Sequence, residues 1–189
     1  MLLGSLFAII RTMTDKYYLD AQDFLRDIWR LARQVMDSTW QPDYLIGLWR
    51  GGAEVGVAVH EFLKAHGISP RHMPVKCFSY TGIGQSDAEV KFEYADPVFD
   101  DMQKGTKVLV LDDVFDSGRT FAAVRAKLEA RGCETRMGCV YWKPEKNVTP
   151  FTPDYHVRTL DRWIVFPHEI EGLTPEEIRQ KDPLLAELY

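Results

Sequence analysis

The chain has 189 residues, 46% of them hydrophobic and 27% charged, with a formal net charge of −5. That composition suits a globular protein with one well-buried core and excludes collagen-like, disordered and disulfide-scaffold chains. No apolar run approaches the ~20 residues of a membrane span, and the mild acidity argues against nucleic acid as the main partner.

Met1–Ile10 is apolar, but no positive segment precedes it and no small-residue cleavage site follows closely, so it does not read as a secretory leader. Residues 1–13 are expected to form an N-terminal extension, ahead of a single domain over 14–189. Within Asp20–Asp37, residues Phe24, Leu25, Ile28, Leu31, Ala32 and Val35 share one side of a 3.6-residue wheel, which predicts an amphipathic helix. Tyr44–Trp49 is a short apolar strand running into Arg50-Gly51-Gly52. A helix over about Ala53–His66 follows and stops at Gly67.

Val75–Ser79 reads as another strand. The stretch from about 79 to 105 mixes Gly82, Gly84, acids and Pro97 without sustained periodicity, and predicts a long loop of the kind that covers a binding site. Lys107–Leu111 then predicts a strand, Thr120–Ala130 a helix closed by Gly132, and Thr135–Trp142 a strand. Strand, turn, helix, strand implies a βαβ unit, hence an α/β fold with a parallel sheet flanked by helices. Short strands at Tyr155–Arg158 and Trp163–Phe166, and a short helix opened by Thr174-Pro175, suggest a small C-terminal lobe over about 150–189. Cys77, Cys133 and Cys139 are an odd set without metal-ligand spacing. They are expected to be buried free thiols in a reducing, cytoplasmic compartment.

The segment Val108–Thr120, VLVLDDVFDSGRT, carries the chemistry. An apolar strand ends in Asp112 and Asp113, Asp116 follows, and Ser117-Gly118-Arg119-Thr120 leads into a helix. Ligands of open α/β sheets bind beyond the carboxyl ends of the strands. A hydroxyl- and glycine-containing turn before a helix offers backbone N–H groups and a positive dipole end to a phosphate. Acids beside such a cradle suit a sugar phosphate, whose hydroxyls or accompanying cation need carboxylates. The plainer alternative is a strand whose acids merely cap the next helix.

This segment resembles the phosphoribosyl-pyrophosphate signature of the type I phosphoribosyltransferases. Leu48-Trp49-Arg50-Gly51-Gly52 is similar to that family's pyrophosphate turn, and the stretch from Ser79-Tyr80 stands where the family has a flexible hood. Tyr141-Trp142-Lys143-Pro144 and the later Asp161–Glu169 run are similar to the 6-oxopurine members, most closely the bacterial xanthine-guanine type. The resemblance implies that Asp112, Asp113, Ser117, Gly118, Arg119 and Thr120 bind the phosphoribosyl group, and that Arg50, Gly51 and Gly52 bind pyrophosphate. It makes Asp116 the general base and assigns Lys143, Trp163 and Ile164 to the purine. It further implies a Mg²⁺ ion, with Asp113 and Glu169 as the residues near it. Trp163 also reads as a core tryptophan, and Lys143 as a solvated lysine at a strand end.

The implied reaction joins phosphoribosyl pyrophosphate and a purine base (guanine, xanthine or hypoxanthine) to give a nucleoside monophosphate and pyrophosphate, a purine-salvage step. A homodimer or homotetramer is usual in the resembled family. Two other readings stay open: a type I transferase for another acceptor, and a non-catalytic regulator that senses phosphoribosyl pyrophosphate.

Overall fold

A six-stranded sheet organises residues 25–161, in the order β4-β3-β2-β5-β6-β7. The strands are β2 (Tyr44–Trp49), β3 (Arg71–Tyr80), β4 (Glu89–Glu93), β5 (Lys107–Phe115), β6 (Glu134–Trp142) and β7 (Tyr155–Thr159). All neighbours pair in parallel except the edge pair β3 and β4, which is antiparallel. The computed structural model describes residues 16–80, 89–93 and 95–188.

From β2 the chain crosses to β3 on one side, and it later returns to β5 on the other side of β2. Strand order thus reverses between β2 and β5, where the loops leaving two adjacent strands diverge. In open α/β sheets that reversal opens the ligand crevice.

Side-chain alternation divides the core between two faces. Tyr44, Ile46 and Leu48 of β2 and Val108 and Val110 of β5 cluster with Phe121, Val124 and Leu128 of the helix α4 (Arg119–Glu129). Val98 and Phe99 of the short α3 (Asp96–Asp100) join them. The intervening residues Leu45, Leu109 and Leu111 are fully buried, as are Val55, Val59 and Leu63 of α2 (Gly51–Ala65). The first helix, α1 (Ala21–Asp37), buries Ile28, Leu31, Ala32 and Val35, the stripe its periodicity predicts. Each fully buried Leu, Val or Phe of this kind stabilises the fold by ~1.5–3 kcal/mol.

The second unit joins the two chain ends, up to Phe24 and from Arg162. Its strands β1 (Lys16–Tyr18) and β8 (Trp163–Val165) pair in parallel, with Lys16 opposite Trp163. The helices α5 (Pro175–Lys181) and α6 (Pro183–Leu188) follow. A capping box closes the start of α5: Thr174 Oγ1 accepts from the Glu177 N–H, and the Glu177 carboxylate accepts from the Thr174 N–H.

Several expectations need correction. The long irregular loop does not extend over 79–105, because 89–93 is a strand and 96–100 a helix. Glu89-Val90-Lys91-Phe92-Glu93 alternates polar and apolar residues, and Val90 and Phe92 pack against the core. Residues 81–88 and 94, the remainder of the expected hood, lie outside the described residues, as does the proposed extension 1–13. The strand at 155–159, assigned to the C-terminal lobe, is instead the edge strand β7 of the main sheet. It is held there by parallel pairing with β6. Cys77, Cys133 and Cys139 are buried free thiols, and no described helix is long and apolar enough to cross a membrane.

Candidate active site

β5 runs four residues further than expected. β6 continues beside it and pairs Asp112 with Cys139, Val114 with Tyr141 and Phe115 with Trp142. The two acids therefore sit on the strand, not past its end. The chain turns at Asp116, and Gly118, at φ 77°, reverses into α4. A side chain at Gly118 would meet that left-handed backbone and crowding together, since an ideal Cβ lies 2.7 Å from the Phe115 ring and 2.8 Å from Thr149 Oγ1. Gly118 is also the N-cap of α4 and has no side chain with which to cap it. No acid occupies the N-cap position of α4. The Arg119 N lies 3.5 Å from Ser117 Oγ, and the positive dipole end of α4 is of the kind that can bind an anion.

On the neighbouring strand, β2 ends at Trp49, the Trp49–Arg50 peptide is cis, and α2 begins at Gly51, two residues earlier than expected. Arg50, the N-cap residue of this second helix, makes no side-chain cap either. Gly52 is required by β5 itself, since an ideal Cβ there would lie 2.2 Å from the Leu111 carbonyl oxygen, and one on Gly51 would lie 2.1 Å from the Asp113 carboxylate, which would have to move. The turn after β2 is thus pressed onto the end of β5.

That pressing shapes the electrostatics. Asp112 Oδ1 accepts the Asp113 N–H at 3.0 Å, and the Gly52 N–H also donates to the Asp112 carboxylate. Burial and the adjacent Asp113 charge outweigh these donors and hold Asp112 well above the usual carboxylate range. Burial, with Asp112 adding a smaller push, raises the Cys77 thiol to about 12, so it stays protonated and inert. Among the described residues no group of three or more His, Cys, Asp or Glu side chains converges as a metal site.

Lys143 follows β6 and is tied back to β5, its N–H donating to the Phe115 carbonyl at 2.9 Å. Its Nζ lies 2.7 Å from Asp116 Oδ2, and the residue is only 5% exposed. It is not a solvated lysine. The pairing also fixes the Asp116 carboxylate at the start of the Ser117–Thr120 turn.

Trp163, Ile164 and Glu169 belong to the unit formed by the chain ends. Trp163 is 61% exposed, which removes the core-tryptophan reading, whereas Ile164 is buried. Lys16, Trp163, Val165, Glu169, Glu171, Gly172 and Leu173 line a pocket of about 300 Å³. The Glu169 carboxylate already accepts the Phe166 N–H at 3.1 Å, an anchoring role the sequence pattern did not suggest. Lys181, partly buried, donates to the carbonyls of Phe166 and Glu169 and completes that loop. Thr149, which lies against Gly118, and Asn147, which holds Thr149, are not singled out by the sequence, because nothing in Asn-Val-Thr marks it as part of this turn.

The phosphoribosyl transferase domain family matches residues 15–171. The hypoxanthine-guanine phosphoribosyltransferase of Lactococcus lactis is 29% identical over 116 residues, covering 61% of this chain and 60% of that protein's length. The bifunctional protein PyrR of Actinobacillus pleuropneumoniae serotype 5b is 26% identical over 133 residues, covering 67% of this chain and 72% of that protein. Among solved structures, a purine phosphoribosyltransferase from Pyrococcus horikoshii superposes with a TM-score of 0.69 at 28% identity. That alignment covers 85% of this chain and 99% of the archaeal one.

Proposed function

Because this chain belongs to the phosphoribosyl transferase domain family, we propose that it transfers the 5-phosphoribosyl group from phosphoribosyl pyrophosphate to a 6-oxopurine. The products are a nucleoside monophosphate and pyrophosphate. The observation that carries this reading is the pair of helix starts on adjacent strands, after β2 and β5, whose N-cap residues make no side-chain cap, with the Asp112 and Asp113 carboxylates packed against the first of them. Two anion cradles flanking an acidic patch suit a ligand with phosphate at both ends and hydroxyls between.

In this reading the N–H groups of the Ser117–Thr120 turn take the 5′-phosphate, with Arg119 adding positive charge. Arg50 and the Gly51-Gly52 turn take the pyrophosphate, where a guanidinium can bind bidentately. Asp112 and Asp113 hold the ribose hydroxyls. As the bond to pyrophosphate breaks, negative charge grows on the leaving group and positive charge on the ribose ring. Fixed donors at Arg50 and the α2 start stabilise the first, and the carboxylates stabilise the second. Asp116 accepts the proton that the purine loses, and Lys143 both orients Asp116 and donates to the 6-oxygen. Trp163 offers an exposed aromatic face for stacking, and Ile164 offers main-chain contacts.

The acidic pair also fits a hard dication. Mg²⁺ is commonly held by one or two carboxylates together with substrate phosphates, and this donor set supplies two carboxylates and leaves the remaining positions to the ligand. When bound, the ion would supply charge neutralisation at the pyrophosphate. Asp113 is the proposed protein contact. Glu169, occupied with the Phe166 N–H, is the weaker candidate. A homodimer or homotetramer acting in the cytoplasm completes the proposal.

The test is to incubate the protein with phosphoribosyl pyrophosphate, Mg²⁺ and each nucleobase in turn. Pyrophosphate release with guanine, xanthine or hypoxanthine, but not with adenine or uracil, is the expected result. Release with uracil or adenine alone would overturn the oxopurine assignment and favour another acceptor. Binding of phosphoribosyl pyrophosphate without turnover on any base would favour the regulator.

Two substitutions address the acceptor. Trp163→Ala is expected to raise the KM for the base ~5–150-fold, the loss of ~1–3 kcal/mol of stacking, while the KM for phosphoribosyl pyrophosphate stays nearly unchanged. With the indole 61% exposed, the thermal midpoint should also hold. A large drop in midpoint would contradict the stacking role. Lys143→Ala should selectively slow oxopurines, because an ammonium facing the 6-amino group of adenine would set donor against donor. Steady-state kinetics showing an undiminished preference for oxopurines over adenine would remove Lys143 from that role.

A further inference from the structure

The connection between β6 and β7 does more than link two strands. From Lys143 to Phe151 it lies against the turn between β5 and α4. The Val148 N–H donates to the Ser117 carbonyl at 3.1 Å. Asn147 organises the segment from within: its Oδ1 accepts the Thr149 N–H at 2.9 Å and lies 2.7 Å from the Thr149 hydroxyl, and its Nδ2 donates to the Phe151 carbonyl at 2.9 Å. The Phe151 ring meets Phe115 edge-on at 6.0 Å, and the Arg125 guanidinium of α4 lies over Phe151 at 5.2 Å. Thr149 Oγ1 is thereby held 2.8 Å from where a Cβ on Gly118 would stand. The segment is locked onto Phe115, Ser117 and Gly118.

Those residues set where the N–H groups at the start of α4 point. Gly118 has a left-handed φ of 77° and no side-chain cap. A left-handed glycine has broad conformational freedom of its own, so something outside the turn must select one geometry.

We infer that Asn147 and Thr149 are positioning residues for the phosphate turn, and that the β6–β7 connection sets affinity for phosphoribosyl pyrophosphate without touching it. This inference rests on the proposed role of the Ser117–Thr120 turn. Asn147 holds Thr149, Thr149 walls the space beside Gly118, and the Val148 N–H fixes the Ser117 carbonyl. Together these contacts preorganise the cradle, and preorganised hydrogen-bond donors bind an anion without the cost of ordering them.

The consequence can be measured in the full-length protein. Thr149→Val keeps the shape of the side chain and removes the hydroxyl, while Thr149→Ser keeps the hydroxyl. Thr149→Val should raise the KM for phosphoribosyl pyrophosphate roughly five- to tenfold, the value of about one hydrogen bond. The kcat and the base KM should change less than twofold, and Thr149→Ser should restore the wild-type KM. Asn147→Ala should show the same selective rise.

Calorimetric titration with phosphoribosyl pyrophosphate and Mg²⁺ separates the two ways of failing. Tight binding by both the wild type and Thr149→Val would overturn the positioning role and leave the phosphate turn standing. No binding by the wild type would overturn both. A Thr149→Val enzyme whose kcat and both KM values shift together, with a lowered thermal midpoint, would make the segment a plain structural brace and would also overturn the inference.

Discussion

Gly52→Ala should be among the most damaging single-methyl changes possible in this chain. The added carbon would lie 2.2 Å from the Leu111 carbonyl oxygen and 3.0 Å from the Asp112 Cα. Both are backbone atoms of β5, buried in the sheet, and neither can swing aside as a side chain could. The turn after β2 would have to lift off β5, separating the two anion cradles. Overpacking commonly costs ~1–3 kcal/mol, and rigid obstacles place this case at the top of that range, or roughly 6–12 °C in midpoint for a chain of this size. Affinity for phosphoribosyl pyrophosphate should fall with it. Gly67→Ala is the control. Gly67 has a φ of 82° but nothing within 4 Å of its ideal Cβ, so it carries backbone strain of ~1–2 kcal/mol without crowding. Thermal denaturation that finds Gly52→Ala no worse than Gly67→Ala would contradict the close packing of the turn on β5.

Asp112→Asn is expected to stabilise the fold while impairing the site. In the folded chain Asp112 titrates well above its ordinary range, chiefly through burial and then through Asp113. The folded state thus holds its proton more tightly than the unfolded chain does. The stabilisation from that proton is complete below the ordinary carboxylate pKa and is lost as pH rises through the raised folded value. Asn cannot ionise, yet its side-chain oxygen still accepts the Gly52 and Asp113 N–H groups. The variant should therefore melt higher than the wild type near pH 8, with the difference shrinking towards pH 4. Its affinity for phosphoribosyl pyrophosphate should drop ~10–150-fold, as expected when a charged hydrogen-bond acceptor to ribose is lost. Matched melting curves at the two pH values and a calorimetric titration check both halves. A lower midpoint at pH 8 would show that the buried charge is better satisfied than the geometry indicates. Unchanged affinity would take Asp112 out of the site.

The opposing signs make sense together. A carboxylate held against another carboxylate burdens the fold, and in the proposed site a cation or hydroxylated sugar would relieve that burden. Binding sites often carry such local cost, with the remainder of the fold compensating.

Much of this was visible in the sequence, for reasons that can be given residue by residue. Tyr44–Trp49 is a near-continuous apolar run, and the strand has those bounds because both of its faces are covered. The α1 stripe was legible because helical periodicity repeats over five turns. Asp112–Thr120 was legible because a strand, an acidic end and a glycine turn fall in fixed order.

What escaped depended on partners distant in sequence. The extension of β5 to Phe115 depends on β6 pairing alongside it, not on local propensity. β4 was missed because its alternation lies beside Gly82, Gly84 and Pro97, residues that punctuate loops. β1 has three residues, too few for any pattern, and exists through its pairing with β8. The need for glycine at position 52 arises from the Leu111 backbone, and the close fit of Gly51 from the Asp113 carboxylate, both some sixty residues away. Thr149 gains meaning only from the turn it touches, and Asn147 from its hold on Thr149.

The central claim is that the turn between β5 and α4 cradles the 5′-phosphate of the ribosyl group. The most direct measurement is a crystal structure of the protein with a 6-oxopurine nucleoside monophosphate bound. The phosphate should lie among the Ser117–Thr120 N–H groups at charge-assisted hydrogen-bond distances of about 2.7–2.9 Å, with the ribose hydroxyls on Asp112 and Asp113. A nucleotide whose phosphate sits elsewhere, leaving those N–H groups to water, would contradict the account.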